Sequence, residues 1–308
     1  MISADRIFEA LGALSAGLLA LVLVGVTVAV VVLARPSLAR FGAAFLLGSS
    51  WDPVREEFGA LPFLYGTAVT GFVGLLLAIP VALGVALFQS DLGPPSLRRA
   101  VDLVVDLLAA IPSVVYGLWG ALVLAPLLRT TIEPALEAHL GGSALFRGPK
   151  LGLGLLCAGL VLAVMVMPTI ATIAREVLRA VPTELREAGL ALGATRWDVV
   201  RRIVVPYARE GLLGAVLLGF GRAASETMAV AMVVGSRPEI SASLFSPGYT
   251  LASALANEFS HATKPLHVAA LAELGLVLFV VSLAFNVLAR LLVARAARRG
   301  AGPVGGAR

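Results

Sequence analysis

Six apolar stretches, at roughly 10–34, 61–89, 101–128, 151–174, 208–235 and 266–294, dominate this chain. A helix rises 1.5 Å per residue, so about 20 apolar residues cross a hydrocarbon layer about 30 Å thick. Backbone N–H and C=O groups find no water in that layer, and a helix satisfies them within the segment. The expected fold class is an all-α polytopic membrane protein with six transmembrane helices. Composition agrees: 59% of the 308 residues are hydrophobic and only 14% are charged, which no ordinary soluble domain matches. The first stretch, from Ala10 to Ala34, exceeds the apolar core of a secretory signal, about 7–15 residues, and is read as a retained span.

The charges cluster between the apolar stretches, and the net charge of +5 sits in short loops and the tail. Basic residues there set topology, so nucleic acid is not an expected partner; the lipid membrane is. An even number of spans places both termini on one side. With the N-terminus inside, Arg6, Arg98, Arg99, the arginines of 175–209 and those of the tail all face the cytoplasm. The smaller set, Arg35, Arg40, Arg55, Arg129, Arg147, Lys150, Arg237 and Lys264, faces out. Both termini are therefore expected to be cytoplasmic. Cys157, the single cysteine, lies in an apolar stretch and reads as a small core residue, with no metal site expected.

Pro80, Pro112 and Pro168 fall within expected spans, where they introduce kinks or, alternatively, hinges. Arg98 and Asp102 stand at i, i+4 and are expected to pair at the inner surface, with Asp106 a turn deeper and facing protein. Glu273, near the outer end of the sixth span, is given a structural role. The residues from 295 to 308 read as a basic, disordered cytoplasmic tail. No internal repeat is visible.

A dense polar island occupies 175–207, the cytoplasmic loop after the fourth span. Pro182 breaks the chain, a short helix is expected from Glu184 to Leu192, and Gly193 suits its C-terminal stop. Thr195 can cap a second short helix with Asp198 as its capping-box partner, ending before Pro206. On that helix Trp197, Val200, Ile203 and Val204 form an apolar stripe opposite Arg201 and Arg202. A loop whose arginines hold anionic lipid would explain the charge. Two capped helices at a tight bend suit a rigid knob inserted into a groove of another protein.

In the fifth span Arg222 and Glu226 stand at i, i+4, with Arg222 expected near the bilayer midplane. A charge there costs at least about 2.5–3.5 kcal/mol, so the pair should face the bundle interior or water. Gly211, Ala215, Gly219 and Ala223 form a small-residue stripe beside it, suited to close helix packing. Two readings stay open: a self-neutralising pair that locks helices together, or an arginine that meets a transported anion, its planar fork donating two hydrogen bonds to an oxyanion.

Glu187-Ala188-Gly189, Gly193 and Ile203-Val204-Val205-Pro206 resemble the EAA loop of ABC importer permeases at every step of the spacing. Gly189 replaces the usual second Ala, and Val205 the usual Leu. The segment GRAASETMAVAMVVG, with 107–120, 244–259 and 270–293, is similar to the permease subunits of phosphate-specific ABC importers. Ala224 and Ser225 depart from that family's Leu and Gly, and the first sixty residues share only a general likeness. The resemblance implies a type I, MetI-like permease fold in a bacterial or archaeal plasma membrane. Residues 1–60 would be an N-terminal helix and external loop, 61–294 the permease core. It implies a docking loop (Glu187, Ala188, Gly189, Gly193, Ile203, Pro206) and a substrate path (Arg222, Glu226, Thr227), with no catalytic residue.

The implied partners are a PstA-like second permease forming a heterodimer, a PstB-like ATPase dimer and a PstS-like extracytoplasmic phosphate-binding protein. No phosphate-cradling G-x-x-x-x-G-K-[ST] occurs, so ATP and Mg are expected on the ATPase and no cofactor on this chain. Alternatives are a permease for sulfate, molybdate or phosphonate, a carrier driven by an ion gradient, and a regulatory or scaffold membrane protein.

Overall fold

The computed structural model describes residues 4–300. Among these, the helices long and apolar enough to cross a membrane are Leu11–Phe41, Leu61–Leu92, Ser113–Leu140, Leu155–Arg179, Arg196–Ala224 and Pro265–Leu292. The expected number of spans holds. Two of them, the third and the fifth, are displaced along the chain by about a dozen residues.

Proline handling accounts for most of the displacement; the early end of the fifth span at Ala224 involves no proline. Helix α1 (Ala4–Phe41) and α2 (Ala44–Leu47) precede a hairpin of β1 (Trp51–Asp52) with β2 (Glu57–Phe58), which the hydropathy pattern did not signal. Helix α3 (Leu61–Leu87) carries Pro80 in its interior, and α4 (Pro95–Ala110) follows a widened turn at Phe88–Leu92. Ile111 and Pro112 then adopt extended backbone and separate α4 from α5 (Ser113–Trp119). A residue before proline is pushed out of the helical region, which is why the expected 101–128 span is split here.

Downstream, by contrast, prolines are absorbed. Wide turns at Gly120–Leu124, Leu128–Ile132 and Val200–Val204 immediately precede α6 (Ala125–Leu127), α7 (Glu133–Leu140) and, after the intervening helices, α11 (Val205–Ala224). Each of those helices has proline in its first turn: Pro126, Pro134 and Pro206. The backbone N–H groups of Ala125, Glu133 and Val205 each donate five residues back, to Gly120, Leu128 and Val200. Opening the spiral by one residue makes room for a ring that would clash with the carbonyl four residues back, and the missing N–H falls where the ladder is already offset. The helix expected to end before Pro206 therefore runs on into the membrane span.

The core forms around α8 (Leu155–Arg179), the most buried of the spans, which carries Pro168 in its interior. Close approach comes from the small-residue stripe: a Cβ on Gly219 would lie 2.7 Å from Ile170 Cδ1, and Ala215 is fully buried. Helix α14 (Pro265–Gly300) packs on α11 and on the C-terminal part of α1. It continues to Gly300, so residues 295–300 are helical where a disordered tail was expected; residues 301–308 lie outside the described residues. Glu273, on α14, is buried with only 4% of its surface exposed.

The loops sort onto two sides. On one, Asp91 pairs with Arg186 of α9 (Thr183–Ala191), and Asp102 pairs with Arg175 at 2.8 Å. Arg98 does not pair with Asp102, because its Nε donates to the Gly93 carbonyl at 2.6 Å, one of the carbonyls left free where the preceding turn ends. Asp106 is exposed rather than facing protein, since α4 buries only Val105 against its neighbours. On the other side, Trp51 Nε1 donates to Glu258 Oε2 at 2.7 Å, joining the hairpin to α13 (Leu251–Glu258), and Leu244 N–H donates to the Leu145 carbonyl at 2.9 Å.

One backbone contact on that side tests the packing. A Cβ on Gly66 of α3 would collide with the Tyr249 carbonyl, and both groups are backbone. Gly66→Ala should lower stability by about 1–3 kcal/mol, the usual cost of overpacking. The same change at Gly84, where a Cβ meets open space, should not. Thermal unfolding of the two variants in detergent checks this.

Candidate functional site

The polar island builds a compact corner. Pro182 is extended and starts α9, whose C-terminal end closes as a Schellman motif: Gly193 N–H donates to Leu190 O at 2.9 Å and Ala194 N–H to Gly189 O at 3.2 Å. Gly193 holds φ +83°, a conformation that favours glycine, with nothing near its side-chain position. Thr195 then caps α10 (Arg196–Val199): its Oγ1 accepts from Asp198 N–H at 3.2 Å, and its hydroxyl donates to Asp198 Oδ2 at 2.6 Å. Arg186 clamps the corner to the bundle, pairing with Asp91 and donating from Nη2 to the Leu178 carbonyl at 2.6 Å.

The inner face of the corner is apolar. Val199, Val200 and Val204 are buried with Leu178 and Val181. Gly189 lies against them, and a Cβ there would come 2.7 Å from Ile203 Cδ1 and 2.9 Å from Val199 Cγ2. That contact explains glycine at a position where the loop pattern usually has alanine. Trp197 departs from the expected stripe: it is 53% exposed while Val200 and Val204 are buried. The outward face shows Glu187, Ala188, Leu190 and Leu192, with Leu192 89% exposed. Pro206, on the first turn of α11, is also exposed.

The second candidate region is a break in the expected fifth span. Helix α11 ends at Ala224, and α12 (Met228–Val233) starts afresh after Ser225, Glu226 and Thr227. The end is tied locally: Ser225 Oγ donates to Gly221 O at 2.7 Å, Glu226 N–H to Ala223 O at 3.2 Å, and Thr227 Oγ1 to Ser225 O at 3.2 Å. Arg222 thus sits in the last turn of α11, where unsatisfied carbonyls favour a cation. Glu226 lies past the helix end, so the two do not share a continuous helical face, and no ion pair joins them among the described residues. Arg222 is exposed in the single chain; Glu226 and Thr227 are partly covered.

Helix α12 packs on α5, so the two backbone interruptions are neighbours. A Cβ on Gly117 would lie 2.7 Å from Met232 Sδ, and the Tyr116 hydroxyl reaches back across the Pro112 break to donate to the Leu108 carbonyl at 2.8 Å. Non-helical backbone at membrane depth persists only where protein covers it or it lines a water-filled space. Arg222 and Ser225 lie exposed beside the break between α11 and α12. Sequence reasoning missed the break because Ser225-Glu226-Thr227 contains neither Gly nor Pro. It missed Arg186–Asp91 because those residues stand far apart in the chain.

The chain belongs to the family described as binding-protein-dependent transport system inner membrane component, whose model matches residues 74–298. Within that class it is similar to the phosphate transport system permease protein PstC of Mesorhizobium japonicum, 42% identical over 96% of this chain and 92% of that one. The PstC of Haemophilus influenzae is also 42% identical, over 94% of this chain and 93% of its own. Among solved structures, an inward-facing MetNI methionine ABC transporter matches with a TM-score of 0.51 at 21% identity, covering 78% of this chain and 95% of that one. That likeness shows a shared MetI-like fold.

The capping geometry predicts a local effect. Thr195→Ala should cost about 1 kcal/mol at the start of α10. Hydrogen exchange should quicken at 196–199 while exchange in α8 stays unchanged.

Proposed function

We propose that this chain is the transmembrane permease subunit of an ATP-driven phosphate importer, forming half of the translocation path. The observation that carries the reading is the similarity to PstC proteins over more than nine-tenths of both chains. The fold is consistent with it: a rigid corner on one side, an interrupted span carrying Arg222 and Glu226, and six candidate crossings between.

In this reading the chain performs no covalent chemistry. It pairs with a PstA-like second permease, whose surface covers the face bearing Arg222 and Ser225. The exposed patch of Glu187, Ala188, Leu190, Leu192 and Trp197 docks into one subunit of a PstB-like ATPase dimer, which holds the ATP and Mg. The opposite side, with the 51–58 hairpin, receives phosphate from a PstS-like binding protein. The basic loops then lie in the cytoplasm, with both termini inside a bacterial or archaeal plasma membrane. The core of the permease is 61–294, with 1–60 an added helix and external loop.

Because no ion pair occupies Arg222 among the described residues, its guanidinium is free to donate two hydrogen bonds to a phosphate oxygen pair. Glu226 accepts the proton of a partly protonated phosphate and repels fully ionised anions. Thr227 adds a hydroxyl at the same turn.

Phosphate uptake in cells lacking their own permease, supplied with this chain and its partners, tests the reading. Arg222→Gln should abolish most uptake and Glu226→Gln should impair it, in complexes that still assemble with the ATPase. Normal uptake by assembled Arg222→Gln removes the arginine from the path. Wild type that hydrolyses ATP without moving phosphate points to sulfate, molybdate or phosphonate. Glu187→Lys should separate the ATPase from the permease in a pull-down, and retention of the ATPase would refute the docking assignment.

A further inference from the structure

On the docking-loop side, a cleft of about 300 Å³ opens between the turn after α3, the start of α4, and the α9–α10 corner. Three arginines and one carboxylate line it: Arg98, Arg186, Arg196 and Asp91. Leu190, Val199 and Val200 supply its apolar part.

The charges are unequal and unequally engaged. Arg186 and Asp91 neutralise each other, and the second Nη of Arg186 is held by the Leu178 carbonyl. Arg98 uses Nε on the Gly93 carbonyl, which leaves both Nη groups without a partner in the described residues. The Arg196 guanidinium has no hydrogen-bond or ion-pair partner there at all. Two guanidinium groups that nothing offsets therefore face one concavity with apolar walls. Like charges so placed repel, and the lowered dielectric beside Val199 and Val200 strengthens both that repulsion and the attraction for a counter-ion.

We propose that this cleft is an anion site for a phosphoryl group, held between Arg98 and Arg196. Guanidinium forks match tetrahedral oxyanions in geometry; free phosphate as a dianion would balance both uncompensated charges, and a lipid phosphodiester one of them. The Arg186–Asp91 pair fixes the cleft wall and keeps the third arginine from closing over it. A bound phosphoryl group would bridge α4 to α10 and so tie the docking corner to the bundle by a second contact. The shared chemistry has two sources, free inorganic phosphate or the phosphate of an anionic lipid headgroup. This site is separate from the Arg222 path, and its binding test stands apart from the uptake test.

The assembled, nucleotide-free complex is placed in discs of phosphatidylcholine alone and dialysed against radiolabelled inorganic phosphate. In a second arm the discs contain equal parts phosphatidylcholine and phosphatidylglycerol, and lipid retained after detergent extraction is measured. Wild type is compared with Arg98→Gln, Arg196→Gln, their double variant, and Arg99→Gln, an exposed neighbour that does not line the cleft. Binding left in the double variant reports the path and the ATPase and is subtracted.

Each single cleft variant should bind about ten-fold more weakly or worse, the scale of one lost charge-assisted contact, while Arg99→Gln matches wild type. Lysine at either position should restore part of the affinity. A difference confined to the first arm assigns the site to free phosphate; one confined to the second assigns it to lipid. If wild type exceeds the double variant in neither arm, the proposal is overturned, including the case where a carboxylate of the docked ATPase fills the cleft.

Discussion

Hydrocarbon offers no partner to a backbone N–H or C=O, and the rest of this molecule follows from how the chain meets that demand. Where proline removes a donor, the helix opens by one residue and continues, as before Pro126, Pro134 and Pro206, stops outright, as at Pro112, or carries the ring in its interior, as at Pro80 and Pro168. Where α11 ends without proline, Ser225 and Thr227 return their hydroxyls to the backbone. The helices that follow the two interruptions, α5 and α12, pack on each other.

The corner of α9 and α10 obeys a different constraint, because its outward face is exposed and partly polar. Its shape is set by local chemistry, a Schellman turn and a threonine cap, and its attachment by Arg186 bound to Asp91 and to the Leu178 carbonyl. A largely buried guanidinium with both arms engaged positions better than an exposed pair, which would contribute little. The side chains left outward are those a protein groove could cover, and the valines beneath them are spent on the bundle core.

Much of this was legible in the residues. Apolar length revealed the number of spans; Gly193, Thr195 and Asp198 revealed the corner; and Gly211, Ala215, Gly219 and Ala223 revealed a close-packing face. The failures share a cause. Apolar length does not say where a helix is interrupted, so 101–128 and 208–235 were drawn through Pro112 and Ser225 as if unbroken. Rules that treat proline as a stop end the second corner helix at Pro206, and they do not foresee a wide turn at Val200–Val204 that carries the helix past it. Local spacing paired Arg98 with Asp102, whereas Arg175 reaches Asp102 from another helix. The roles of Arg222, Glu226 and Thr227 rest on chemistry that spacing can suggest and only transport can test.

The wide turn at Val200–Val204 makes α10 and α11 one continuous rod from Arg196 to Ala224. Such a rod, rising 1.5 Å per residue, runs about 40 Å from the corner to Arg222 with no loop to absorb movement. Its two ends are phase-locked: adding or deleting one residue between Val205 and Gly221 would turn Arg222 by about 100° relative to Trp197. The spacing between corner and arginine therefore fixes their relative direction as well as their separation.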